Sequence, residues 1–461
     1  MQDIHALHFI NGMVTTMKSD SKTYFLASLG CAKNTVDSES MAALMQQAGY
    51  QSVDRPNHAA VLIVNTCGFI KPARDESIQV LKDLAKKKKS NQYLIAAGCL
   101  PERYRKGVLD QIPGIDGILS TRRWMDIVDV VQRLRSGRKD PAPLYNLPEA
   151  ATVGTDERGV LRAAIQGGSA YLKIADGCRR PCAFCSIPLI KGTAVSRSPE
   201  VILNEARTLQ EMGIREINLI AQDTTDYGHD LGIKDGLSIL LENLLVAAPD
   251  LPWFRILYAY PGYVTDRLID VMAANPRILP YLDMPLQHAH PATLQRMRRP
   301  ANIDWVYRTL KKMRSTIPNL ALRTTFIVGY PGETDKEFQS LLDFIQEMQF
   351  DHVGAFTFSF ETGTASEPLG DPVPQEVKDE RLERLMLLQQ GISLSRNQQL
   401  VGKSLPVLVE GFDNGLSIGR SYRDAPEIDG LVLVEGKAPI GEITQVQITG
   451  ALTHDLTGRL I

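Results

Sequence analysis

Short runs of β-type residues alternate with helix-length stretches over most of this chain, and that rhythm confines it to α/β architecture built on parallel strands. In the first part a strand is expected over 23–27, a helix over 36–48, a strand over 59–65, a helix over 72–88 and a strand over 92–97, the order of an open parallel sheet. Ligands of such sheets gather beyond the carboxyl ends of the strands. Cys31, Cys67 and Cys99 each follow one of these three strands by a few residues, so cysteines far apart in the chain are expected to converge.

The rhythm breaks after residue 137. Arg138, Lys139, Asp140, Pro141 and Pro143 open a segment, 138–168, that reads as a linker between a first domain at 22–137 and a second at 169–397. Six further strands are expected over 170–175, 216–221, 254–258, 281–284, 321–328 and 352–358, each separated by a helical stretch. Six βα units suggest a partial (β/α)6 barrel with its chemistry at the strand C-termini. A helix over 374–399 follows, and then runs at 405–410, 416–421, 431–434 and 442–451 alternate apolar and polar residues between Gly and Asn-Gly turns. That pattern predicts a small antiparallel β-barrel at 398–461. Residues 1–21 read as an extension preceding the first domain.

Composition excludes several classes. A chain of 461 residues has room for about three domains, and 44% hydrophobic with 23% charged residues is ordinary globular usage. The net charge of -2 argues against a general polyanion binder, so any nucleic-acid contact must be a local patch. The longest apolar run, 59–64, is far short of the roughly 20 residues that cross a bilayer. Asp3, His5, His8 and Asp20 do not fit a secretory signal. A reducing, cytoplasmic setting is therefore expected, in which the six cysteines stay as thiols or metal ligands.

The sharpest signal is the loop leaving the first strand of the second series. Cys178, Cys182 and Cys185 stand there at C-x3-C-x2-C spacing, with Phe184 before the last of them. Three thiolates on one short loop can hold three corners of a 4Fe-4S cubane and leave the fourth iron open. A structural zinc wants a fourth nearby ligand, and no adjacent His or Cys supplies it. Zinc and inert buried thiols stay open as the alternatives to a cluster.

This loop on a six-unit α/β barrel resembles the radical S-adenosylmethionine superfamily. The resemblance implies that the open iron chelates S-adenosylmethionine and that one electron cleaves it to a 5′-deoxyadenosyl radical. Such chemistry suits an aliphatic C–H that no general base could deprotonate. The runs from Ser28 to Asn34, Asn65 to Gly68 and Gly98-Cys99 are similar to the first domain of the methylthiotransferases. In that family three cysteines hold a second 4Fe-4S cluster through which sulfur is delivered, which would make Cys31, Cys67 and Cys99 its ligands. Several stretches resemble the branch that modifies an aspartate β-carbon of ribosomal protein uS12 more than the branch that modifies transfer-RNA adenosine. They are Val36 to Glu39, Ala221 to Thr225, Tyr258 to Pro261, Pro285 to His288 and, most branch-specific, Gly419 to Gly430. Lys191 stands where arginine is expected, and Phe360-Glu361-Thr362 departs from the family pattern. The resemblance further implies a low-potential electron donor and a sulfur source. An iron-sulfur electron carrier or scaffold without enzymatic activity is the alternative from another class.

Charge bears on the substrate independently. Over 398–461 five basic residues face eight acidic ones, a net of -3, whereas a barrel gripping an RNA backbone should be positive. An acidic face suits a basic ribosomal protein, and plain solvation of the surface is the alternative. The resemblance also marks Phe184 as a cofactor-binding position and Gly329 and Glu333 as positions near the adenine, while Gln222 and Asp223, just past the second strand, could reach the rest of the cofactor; turn stabilisation is the alternative for the last four. A solvated turn is the alternative for Lys33 and Asn34, and Lys86 to Lys89 read as a solvated helix end. His229, His288 and His290 are assigned no role as bases.

Overall fold

The computed structural model describes residues 22–105, 107, 112–136, 143–148 and 158–461. The 1–21 extension lies outside them. The chain forms two compact bodies. The first takes the described residues up to 164 together with 176–179 and 186–195; the second takes 165–175, 180–185 and 196–461.

The first body is built on a six-stranded sheet in the order β2-β1-β3-β4-β5-β6. Its strands are β1 (Thr23–Ser28), β2 (Gln51–Ser52), β3 (Val61–Thr66), β4 (Tyr93–Gly98), β5 (Gly117–Ser120) and β6 (Leu144–Asn146), and every pair is parallel. All six residues of β3 are buried, because helices cover both faces of a parallel sheet and leave no solvated side to alternate with. On one face Ile63 and Ile95 pack with Met41, Leu44 and Met45 of α1 (Ala32–Gln47). On the other, Leu62, Val64 and Leu94 pack with Leu81 of α2 (Lys71–Lys87). A third, short helix, α3 (Cys99–Tyr104), leaves β4 directly. The helix expected from 36 begins four residues earlier, straight after Cys31.

The segment expected as a linker is not without structure: Leu144–Asn146 is the sixth strand of this sheet, its Leu144 N–H donating to Asp116 at 2.8 Å. Residues 186–195, expected with the second series, group with the first body for an electrostatic reason. Lys191 is buried, with its Nζ 3.0 Å from Asp37 and 3.3 Å from Asp176, and Arg162 reaches the same Asp37 at 2.5 Å. Burial opposes the Lys191 charge, but Asp176 and Asp37 hold its pKa above the ordinary lysine value. A buried ammonium is tolerable only where its counterions are. Arg122 adds bonds of 2.7 and 2.8 Å to the carbonyls of Ile190 and Leu189.

The second body carries a seven-stranded sheet in the order β15-β14-β13-β12-β11-β8-β7. Its edge strand is β7 (Ala163–Gln166), also within the expected linker. The remaining six are β8 (Ser169–Lys173), β11 (Glu216–Ile220), β12 (Trp253–Ile256), β13 (Ile278–Asp283), β14 (Ala321–Val328) and β15 (His352–Thr357), and these six are parallel to one another. The short strands β9 (Ala175–Asp176) and β10 (Val195–Ser196) stand apart from this sheet. The six βα units and their open order match the expectation of a partial barrel.

At the C-terminus β16 (Ser404–Asp413), β17 (Leu416–Ser421), β18 (Val432–Glu435), β19 (Ile443–Ala451) and β20 (Leu456–Leu460) close into a barrel in the order β16-β17-β18-β20-β19. Val407, Val432, Val434, Val446 and Ile448 fill it. This barrel is not a free module. Arg420 of β17 pairs with Glu216 of β11 at 2.6 Å and with Glu410 at 2.6 Å. Arg255 of β12 meets Glu216 at 2.8 Å and the Tyr422 carbonyl at 2.8 Å. Asp429 takes Arg323 at 3.2 Å and the Tyr281 hydroxyl at 2.6 Å, and Arg423 pairs with Asp351 at 3.0 Å. Burial alone would raise the Glu216 carboxyl, but Arg420 and Arg255 together hold it down at about 2. Charges so enclosed cannot part without stranding one another, so the small barrel and the larger sheet form one body.

Candidate functional site

The C-terminal ends of β1, β3 and β4 lie side by side in the sheet, and Cys31, Cys67 and Cys99 stand just beyond them. Cys31 occupies the cap position of α1 and is exposed, where a helix N-terminus favours negative charge. The three turns touch through glycines. A Cβ on Gly30 would lie 2.8 Å from Cβ and 3.3 Å from Sγ of Cys67, and one on Gly68 would lie 2.8 to 3.0 Å from the backbone of Leu100 and Cys99. Asn34 binds the assembly together: its Nδ2 donates to the carbonyls of Leu29 at 2.9 Å and Thr66 at 3.0 Å, and its Oδ1 lies 3.6 Å from the Cys99 sulfur. It is buried in the first turn of α1, which rules out the alternative of a solvated turn there. Its backbone carbonyl in turn accepts from buried Asn65 at 2.9 Å.

The two buried thiols, Cys67 and Cys99, are biased toward their protonated form. Burial, with Cys31 adding to it, pushes the Cys67 thiol up to about 11. Burial drives Cys99 higher still, against the opposing pull of Lys191. A metal that takes these sulfurs must release protons. Among the described residues no three Cys, His, Asp or Glu side chains surround one point as ligands of a single ion would. A cubane asks for something else, one thiolate at each of three separate corners, and three converging cysteines with glycine between them meet that demand.

Cys178, Cys182 and Cys185 lie on the loop that follows β8 and β9. Gly177 has φ +79, and a Cβ there would sit 2.0 Å from the Thr193 carbonyl, so the turn into the loop admits only glycine. The Cys178 N–H donates to Gly192 at 3.0 Å. Phe184 packs against Met297, Tyr330 and Phe358, while the Ala183 N–H binds the Met297 carbonyl at 2.8 Å. Tyr260 Oη lies 3.8 Å from the Cys182 sulfur and Arg299 Nη1 lies 3.6 Å from it. Neither residue stands out in the sequence beyond the Tyr258 to Pro261 run and a basic stretch after residue 295.

The other expected cofactor positions differ in how they are engaged. Asp223 accepts from Arg180 Nε at 2.6 Å and from Thr225 N–H at 3.0 Å, and burial outweighs these partners to raise its carboxyl above the ordinary value. Gln222, next to it, keeps Oε1 enclosed with no protein hydrogen-bond partner. Glu333 is fully enclosed between Arg381 at 3.0 Å, His288 at 3.1 Å and the Gly329 N–H. Gly329 has φ +71, and a Cβ there would strike the Lys378 side chain at 2.4 Å. His290 caps the helix Pro291–Arg296 by accepting from Ala292 at 3.3 Å. At the end of α2, Lys88 bonds the Gly114 carbonyl at 2.8 Å and Lys89 the Asn57 carbonyl at 3.0 Å.

With this geometry in hand, comparison with known proteins is specific. Residues 172–345 match the radical SAM superfamily, residues 23–120 match the uncharacterized protein family UPF0004, and residues 401–461 match the TRAM domain. Among solved structures, the radical S-adenosylmethionine methyltransferase TsrM of Kitasatospora setae is similar with a TM-score of 0.57 over 87% of this chain and 77% of that one. At 13% identity this likeness speaks for the fold alone. Curated relatives carry more. The ribosomal protein uS12 methylthiotransferase RimO of Roseiflexus sp. (strain RS-1) is 46% identical over 458 residues, covering 95% of this chain and 97% of that protein. That of Chloroflexus aurantiacus is 47% identical over 453 residues, covering 95% and 99%. Identity of this order over 95% of the chain shows that it belongs to the radical SAM ribosomal protein uS12 methylthiotransferase (RimO) family.

Proposed function

We propose that this protein transfers a methylthio group to the β-carbon of an aspartate side chain in ribosomal protein uS12. The observation that carries this reading is the pairing of two separate three-cysteine sets, one at adjoining strand ends and one on a single loop, in a chain of this family. Cys31, Cys67 and Cys99 are the ligands proposed for one 4Fe-4S cluster, and Cys178, Cys182 and Cys185 for the other. When bound, the two clusters and S-adenosylmethionine supply the sulfur, the methyl group and the one-electron chemistry that opens an unactivated C–H bond.

The chain's own residues do the holding. Asn34 and the glycine turns keep three distant thiols within reach of one cluster, and Phe184, on the apolar cluster of Met297, Tyr330 and Phe358, anchors the other loop. Gln222 is proposed to offer its enclosed Oε1 to S-adenosylmethionine, since a buried amide oxygen without a partner otherwise costs stability. Gly329 and Glu333 shape the same end of the sheet from β14, and Asp223 acts there through Arg180. The acidic C-terminal barrel is the proposed docking face for basic uS12. A low-potential electron donor and a sulfur source are required partners. No described helix is long and apolar enough to cross a membrane, as a modifier of ribosomal protein would be expected to show.

The test is anaerobic incubation of the reconstituted protein with S-adenosylmethionine, reductant and sulfide, offering uS12 and transfer RNA side by side. Mass spectrometry should find the methylthio gain on a uS12 aspartate. A gain on the RNA alone overturns the substrate, and no 5′-deoxyadenosine from a fully loaded sample overturns the enzyme.

A further inference from the structure

The sulfur of Cys182 is approached by two polar side-chain groups from outside its own loop. Arg299 Nη1 stands 3.6 Å away and Tyr260 Oη 3.8 Å away, lengths suited to the larger sulfur atom. Both groups are fixed from behind. The Tyr260 ring lies between two guanidinium groups, Arg299 at 4.2 Å and Arg180 at 4.7 Å, and meets Tyr263 edge-on at 5.8 Å. Its backbone N–H is tied to Thr225 Oγ1 at 3.2 Å. Arg180 is immobilised by Asp223 at 2.6 Å and Asp226 at 3.1 Å and stacks on Tyr263 at 3.6 Å. The second amino group of Arg299 bonds the Pro285 carbonyl, and its backbone N–H bonds Leu294 at 2.8 Å. Seven side chains thus contribute to the surroundings of one cysteine.

A cysteine that ligates a cluster has lost its proton, so its sulfur can only accept, and both neighbours must turn their hydrogens toward it. Donors aimed at a ligating sulfur stabilise the reduced cluster, which carries one more electron, over the oxidised one. We propose that Tyr260 and Arg299 are positioning residues that set the electron affinity of the cluster on the Cys178 loop by bonding the Cys182 sulfur. This rests on the reading above that the loop holds a 4Fe-4S cluster. An Arg180 to Tyr260 to Arg299 stack is the device that keeps both donors pointed.

The experiment uses the full chain with Cys31, Cys67 and Cys99 replaced by alanine, so that one cluster reports. It is reconstituted anaerobically, its iron counted, and its midpoint potential measured by redox titration with paramagnetic resonance detection. Tyr260→Phe and Arg299→Gln should each lower the ratio of reduced to oxidised cluster at fixed potential about tenfold, equal to about 59 mV for a one-electron couple. Arg299→Lys, which keeps the charge and one donor, should recover part of the shift. Iron content should stay that of the parent. An unmoved potential in Tyr260→Phe and Arg299→Gln overturns the proposal while leaving the cluster reading intact. Loss of iron in Arg299→Gln together with an unmoved potential in Tyr260→Phe also overturns it, since that pattern is structural support only. A parent that takes up no iron overturns the cluster reading and this proposal with it.

Discussion

Cys31, Cys67 and Cys99 reach one another only because three parallel strands end side by side, whereas Cys178, Cys182 and Cys185 share eight residues of chain. The first set is a property of a whole sheet: its members are separated by helices, and Cys67 and Cys99 are buried behind glycine turns while Cys31 is exposed. The second is a property of one loop, backed by packing at Phe184 and by donors at Cys182. The difference teaches that a distributed site should fail whenever strand-end geometry fails, while a local one should fail only when the loop or its backing does. Replacing either trio by alanine tests whether they are independent. Each variant should lose about half of about eight irons per chain. The variant lacking the strand-end trio should still form 5′-deoxyadenosine yet yield no methylthiolated uS12, and the variant lacking the loop trio should yield neither. Iron and sulfide assays with product mass spectrometry read both. Loss of all iron from either variant would mean that the sites are not separate.

A smaller lesion should reproduce half of that result. Gly98 ends β4 at φ +100, and a Cβ there would meet Asn65 Oδ1 at 2.4 Å and the Thr66 carbonyl at 2.6 Å. Gly98→Ala thus combines a backbone region that side chains avoid with crowding of a buried, hydrogen-bonded amide, at a cost of about 2–5 kcal/mol. We expect it to lose iron from the strand-end site and keep the loop cluster, seen as half the iron with 5′-deoxyadenosine formation retained. Gly213 is the control: φ is +83 but no atom lies within 4 Å of the added Cβ, so Gly213→Ala should cost only about 1 kcal/mol and no iron.

The two sites also differed in how far the sequence revealed them. The loop trio is visible as spacing, and the strand-end trio as position after successive apolar runs. What escaped was whatever depends on partners distant in sequence. β6 is three residues long and β20 carries Gly458 and Arg459, so neither offers a periodicity to read. Arg420 and Arg255 look like solvent-facing charges, yet their shared partner Glu216 lies 204 residues before Arg420. Asn34 has the composition of a turn and the role of a buried bracket. Asp223 reads as a cofactor contact, and its carboxylate is occupied by Arg180.

Buried charge makes the second body sensitive to acid. Glu216 is held at about 2 against an ordinary value of 4.5. Its stabilising contribution is thus fully present above pH 4.5 and lost as pH falls toward 2. The amount is on the order of 3 kcal/mol. Hydrogen exchange of cluster-free protein between these limits should show peptides from β11 and β17 losing protection. Glu216→Gln should flatten the part of that pH dependence due to this carboxyl. Arg420→Met at neutral pH, which strands part of the Glu216 charge, should cost about 3–5 kcal/mol in the second body. Unchanged protection of β11 and β17 down to pH 2 would mean that the ion pairs do not fasten the barrel.

The smallest effect concerns the acidic barrel as a docking face. Asp424 and Asp429 are buried in pairs and face no substrate, which weakens a simple count of charges. Arg420 and Arg423 are buried with them. The more accessible set is therefore six acids, Glu410, Asp413, Glu427, Glu435, Glu442 and Asp455, against Lys403, Lys437 and Arg459, so the net of -3 survives the correction. Glu410 and Glu442 are further engaged by Arg420 and Arg215, which leaves Asp413 and Glu435 as better probes. Exposed charges at an interface act mainly on encounter and are screened by salt. Asp413→Lys with Glu435→Lys should raise the KM for uS12 severalfold at low ionic strength, with kcat unchanged and the difference fading at high salt. A KM indifferent to both substitutions at low salt would reduce these acids to solvation and move the search for the uS12 face away from the small barrel.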